Sequence, residues 1–130
     1  MIGLDTNVLV RYIAQDDKTQ SAKATELIES LTESKPGYLT MIVMEETYWV
    51  LRRAYKVDKK RASEILGDLL TAQEVVVEQA EAVSRALRQT ADGADFADAL
   101  ISQLCNDAGC DQTFTFDQGA AARAGMRLLR

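Results

Sequence analysis

Four carboxylates, Asp5, Glu46, Asp98 and Asp117, stand where a chain of this kind can hold a divalent cation. Asp5 ends the apolar run Ile2-Gly3-Leu4, and Asp117 ends Thr113-Phe114-Thr115-Phe116. Both are expected at the carboxyl ends of strands, where open parallel sheets bind their ligands. Glu46 shares a helix face with Ile42, Val43, Trp49 and Val50, because residues three and four apart lie together on a helix. Asp98 falls in the same way into a row with Ala94, Ile101 and Cys105. A carboxylate in an apolar row is costly unless something pairs with it. Asp95, three residues before Asp98, can aim at the same point. Carboxylates drawn together repel, and a bound divalent cation removes that conflict. Magnesium in particular takes oxygen ligands and keeps several waters.

Each acid also has a plainer reading. Asp5 and Asp117 can be helix caps or turn formers. Asp95 and Asp98 can be surface groups, and Glu45 and Glu46 a solvated helix rim. Glu45 lies nearer Met41, Tyr48 and Arg52, and an ion pair with Arg52 can satisfy it. Facing therefore favours Glu46 over Glu45 as a ligand. The weight of the metal reading lies in the conjunction of the four.

Other chemistries are closed by composition. The 130 residues contain no histidine, so no Ser-His-Asp triad, Cys-His pair or His-ligated zinc can form. The two cysteines, Cys105 and Cys110, make neither a disulfide framework nor a zinc site. Twenty acidic and 15 basic residues leave a net charge of −5, which opposes passive, charge-driven nucleic-acid binding. Local basic features remain: Lys56, Lys59, Lys60 and Arg61 cluster, and Arg11, Arg52 and Arg53 are expected near the cleft. No apolar run approaches the ~20 residues of a membrane span, and the N-terminus carries no secretory pattern. The expectation is a cytoplasmic protein.

The elements that must position these acids alternate along the chain. Strands are expected over 2–4, 38–40, 74–77, 113–116 and 126–129. The triple valine of 75–77 is the clearest, since β-branched residues favour extended backbone. Helices are expected over 8–13, 21–31, 42–55, 61–70, 80–89, 94–106 and 118–123, with Asp5, Thr6, Asn7 and Thr40 available as N-caps and Gly109 as a C-terminal cap. The stretch 56–60 reads as a polar connection. Hydrophobic residues at 47% suffice for a core. The pattern implies one domain spanning 1–130, an α/β three-layer sandwich with a mainly parallel central sheet flanked by helices.

The ordered blocks resemble the PIN domain, specifically VapC-type toxins of type II toxin–antitoxin pairs. Leu4-Asp5-Thr6-Asn7-Val8-Leu9 is similar to the opening strand and first acid. Glu46-Thr47-Tyr48-Trp49-Val50-Leu51 is similar to the second block, Asp95-Phe96-Ala97-Asp98-Ala99-Leu100-Ile101 to the third, and Thr115-Phe116-Asp117 to the fourth. The set covers essentially the whole chain.

The resemblance implies a Mg²⁺- or Mn²⁺-dependent endoribonuclease, usually a homodimer, restrained by a cognate antitoxin. It places metal-ligand roles on Asp5, Glu46, Asp98 and Asp117, with Asp95 as an accessory group. Thr6, Asn7 and Thr115 match positions that orient the acids or a metal-bound water. Arg11, Arg52 and Arg53 are the candidate RNA contacts. The reaction expected is metal-assisted phosphodiester hydrolysis, with 5′-phosphate and 3′-hydroxyl products implied by the resemblance. One rival is an aspartyl-phosphate phosphotransferase using Asp5 as nucleophile, but the second Asp such enzymes commonly place two residues on is Asn7 here. Another is a non-catalytic module that binds a partner protein.

Overall fold

The computed structural model describes residues 1–130, which divide into two compact units, Met1–Glu78 and Gln79–Arg130. The first unit runs β1 (Ile2–Gly3), α1 (Thr6–Ala14), α2 (Lys18–Glu29), β2 (Gly37–Leu39), α3 (Met41–Arg53), α4 (Lys59–Thr71) and β3 (Val75–Val77). Its strands pair in parallel in the order β1-β2-β3, with Ile2 opposite Gly37 and Gly37 opposite Val75. Parallel neighbours require long crossovers, and the helical pairs α1–α2 and α3–α4 provide them. The second unit runs α5 (Ala80–Ala91), α6 (Phe96–Asp107), β4 (Phe114–Thr115), α7 (Gln118–Arg123) and β5 (Arg127–Leu128), with β4 and β5 again parallel. The α/β class and the parallel pairing agree with the sequence pattern. The single central sheet expected from it is drawn as two sheets, one in each unit.

Helix starts follow short-range capping chemistry. Asp17 accepts from the amide of Gln20, Thr40 from that of Val43 and Asp58 from that of Arg61. These caps satisfy amides that the first helical turn leaves without partners. They also correct three expected boundaries. Helix α2 begins at Lys18 because Asp17 caps it. Helix α4 begins at Lys59, inside the stretch read as a connection, because Asp58 caps it. Helix α6 begins at Phe96, so Asp95 is its cap and not a member of its first turn. Only α5 starts without a side-chain cap, from Gln79 in the left-handed region at φ 51°.

The buried side chains of the first unit include Leu9, Leu39, Met44, Leu51 and Leu66, and those of the second include Val83, Ala86, Phe96 and Ala99. On α4 the expected inward row is only partly sealed: Ala62 and Leu66 are buried, while Ile65 and Leu69 are half-buried. Beneath β2, a Cβ on Gly37 would come within 2.9 Å of Leu31 Cδ1 and 3.0 Å of Leu4 Cδ1, so glycine lets the strand lie close on the core. No helix is long and apolar enough to cross a membrane.

Candidate active site

In the first unit the turn after β1 and the second turn of α3 meet through Thr6. Asp5 has extended backbone and caps α1, its Oδ1 accepting from the Thr6 amide at 2.8 Å. The Thr6 hydroxyl donates to Glu46 Oε1 at 2.7 Å. One residue thus contacts both acids, by its backbone on one side and its side chain on the other. An open cleft of about 380 Å³ is lined by Asp5, Thr6, Asn7, Arg11, Glu46 and Tyr55, among others. Glu45 and Glu46 both line the adjoining groove, but Glu46 is the one that accepts the Thr6 hydroxyl.

Arg11 borders this cleft with its guanidinium already engaged. Its NH1 donates to Asp16 Oδ1 at 3.1 Å and to the Tyr55 hydroxyl at 3.1 Å, and its Nε donates to Gln20 at 2.8 Å. The Tyr55 hydroxyl donates in turn to Asp16 Oδ2 at 2.6 Å. This bond, together with Arg11, holds the Asp16 carboxyl below its ordinary range, although burial opposes the shift. The same bond raises the Tyr55 hydroxyl, because an ionised phenol would face a carboxylate. Sequence reasoning missed Asp16, Gln20 and Tyr55. Tyr55 lies 44 residues from Arg11, and no local pattern joins them. Of the other arginines, Arg52 donates to the Val57 carbonyl at 3.1 Å, and Arg53 lies over the Trp49 ring.

The face of α3 that carries Glu46 differs from expectation. Ile42 is 71% exposed and Trp49 is 53% exposed. The side that enters the core carries Val43, Met44, Thr47, Tyr48 and Leu51. Glu46 is exposed beside exposed Ile42 and Trp49, while Val43 is buried and Val50 half-buried, so its charge needs no buried partner. The row at Asp98 is likewise mixed: Ala94 is buried, Ile101 is 49% exposed and Cys105 lies between.

In the second unit the charges of two aspartates act on a third, Asp98. Asp95 Oδ2 caps α6 by accepting from the Asp98 amide at 3.2 Å. Asp117 Oδ1 caps α7 by accepting from the Gly119 amide at 3.0 Å, while its own amide donates to Thr115 Oγ1 at 3.0 Å. Thr115 therefore fixes the turn that aims Asp117. Asp98 is half-buried on the first turn of α6. Its carboxyl is pushed above the ordinary carboxylate range, first by burial and then by the charges of Asp95 and Asp117.

A family profile described as PIN domain matches residues 2–125. The chain belongs to the PIN-domain family. The match covers both units and all four motif blocks, and PIN domains are generally metal-dependent nucleases. No match was found among curated proteins. The donors of this PIN domain fit a hard cation, since every candidate ligand is a carboxylate or hydroxyl oxygen and none is a thiol or imidazole. Asp5, Asp95 and Asp117 each commit one oxygen to a helix amide. The side chains are not drawn into a ready-made cage: no group of three or more His, Cys, Asp or Glu residues is gathered closely enough to hold an ion.

Proposed function

We propose that this PIN-domain protein is a Mg²⁺- or Mn²⁺-dependent endoribonuclease and the toxin component of a toxin–antitoxin pair. The observation that carries this reading is the Thr6 link, which sets Asp5 and Glu46 on one open cleft. Asp5, Glu46, Asp98 and Asp117 are the proposed ligands, and Asp95 is an accessory acid. Asn7 lines the same cleft, and Thr115 orients Asp117. A divalent ion, when bound, supplies water activation and neutralises charge growing on the phosphate.

The chain's own contribution is positioning. Thr6 holds the Glu46 carboxylate at a fixed orientation, in the manner of the outer groups that orient metal ligands. Arg11, braced by Asp16, Gln20 and Tyr55, offers a preorganised cation on the cleft wall to the RNA backbone. Burial of Asp98, with the charges of Asp95 and Asp117, makes its ionised form costly, a cost that a bound cation would offset. The proposed setting is a cytoplasmic homodimer held inactive by an antitoxin protein.

The test uses purified protein and total RNA with Mg²⁺, with excess EDTA as control and sequencing of the cleaved ends. Discrete EDTA-sensitive cuts bearing 5′-phosphates are expected. Cleavage that persists in EDTA, or no cleavage with either Mg²⁺ or Mn²⁺, defeats the reading.

A further inference from the structure

Helix α3 presents an aromatic side chain beside Glu46 that packing does not account for. Trp49, the only tryptophan in the chain, is 53% exposed. It lines an open groove of about 450 Å³ together with Thr6, Glu45, Glu46 and Val50. The Arg53 guanidinium carbon lies 5.8 Å from the centre of the Trp49 ring. Such a contact restrains the ring and keeps a positive charge beside it.

We infer that Trp49 is a stacking platform for an unpaired base of single-stranded RNA, with Arg53 meeting the adjoining phosphate. This rests on the nuclease reading and adds a substrate subsite next to Glu46. Three observations favour a base over a protein side chain. The groove is continuous with Thr6 and Glu46, so its occupant lies next to the proposed chemistry. Glu45 and Glu46 line the same groove as the ring, and charged residues are depleted from the cores of protein interfaces. A chain of net charge −5 cannot rely on general attraction to phosphate, so binding must come from local contacts. Stacking on an aromatic face is such a contact, and it requires a base free of its partner strand.

The single tryptophan makes the test direct. A short single-stranded RNA is titrated into the full chain in EDTA at low salt, with Trp49 fluorescence and the anisotropy of a labelled strand read together. The expected result is fluorescence quenching that tracks binding, and none from an abasic ribose-phosphate strand. Trp49→Ala is expected to weaken binding about tenfold, and Trp49→Phe to keep most of it. Because the ring is half exposed, both variants should fold, which circular dichroism checks. Binding with silent fluorescence, or equal binding by Trp49→Ala, overturns the inference and leaves the nuclease reading intact. A spectral shift that follows protein concentration and ignores RNA assigns the ring to a second copy and also overturns it. Failure of the strand to bind at all, while RNA is still cut when Mg²⁺ is added, rejects the subsite alone. Failure of both rejects the subsite and the nuclease reading together.

Discussion

Glu46, in the first unit, accepts a hydroxyl from Thr6 at 2.7 Å, whereas Asp98, in the second, meets the like charges of Asp95 and Asp117. Glu46 is exposed and its orientation is set by a neutral donor. Asp98 is half-buried and its proton affinity is raised. A hydrogen bond to an ionised carboxylate holds it in place, while burial among like charges makes the ionised state costly. The contrast is geometric in the first unit, where a donor orients Glu46, and electrostatic in the second, where an ionised Asp98 is costly.

The largest effect that sharpens this contrast is expected at Asp5. Asp5→Asn should lower RNA cleavage by more than about 100-fold, since loss of even an outer supporting group costs 10- to 100-fold, while circular dichroism stays unchanged. Near-native activity in that variant would remove the first unit from the chemistry.

Asp98 tests the electrostatic side. Mn²⁺ should raise the melting temperature of the native chain, because an ion that binds only the folded state stabilises it. Asp98→Asn should abolish that rise. In EDTA at neutral pH the variant should melt higher than the native protein. The folded Asp98 carboxyl holds its proton more tightly than the unfolded one, so its contribution is favourable below 3.8 and is lost as pH rises through the raised value. An unchanged Mn²⁺ response would show that the second unit makes no demand for a cation.

Thr6 tests the geometric side. Thr6→Val removes the donor to Glu46 and should reduce cleavage about tenfold, with Thr6→Ser restoring most of it. Equal loss in both variants would point to packing and not to the hydroxyl.

The smallest effect is expected at Tyr55. Its phenol is stabilised in the neutral form by Asp16, so that contribution is present below pH 10.0 and is lost as pH rises through the raised value. Asp16 contributes above 3.8 and loses that contribution as pH falls through its lowered value. Tyr55→Phe should therefore flatten the melting-temperature profile at both extremes, and an identical profile would show that the brace on Arg11 contributes nothing.

The sequence by itself determined what depends on neighbours within a few residues. The strand–helix alternation, the Val75–Val77 strand, the Thr40 cap, the α7 span and the placement of Asp5 and Asp117 after short strands were all legible from periodicity, β-branching and capping chemistry. The four acids were nominated from the sequence as a candidate set, but their order in the chain could not orient a single carboxylate. The boundaries it misplaced, at Asp17, Asp58 and Asp95, lie where a residue serves equally well as a cap, a loop polar group or a surface charge. Only the tertiary structure decided which side of α3 enters the core, leaving Ile42 and Trp49 outside. An apolar row marks a helix face without saying whether core or solvent meets it. The Thr6–Glu46 bond spans 40 residues, and the Arg11–Tyr55 bond spans 44. Such pairings follow from how whole elements pack, which no local run of residue types encodes.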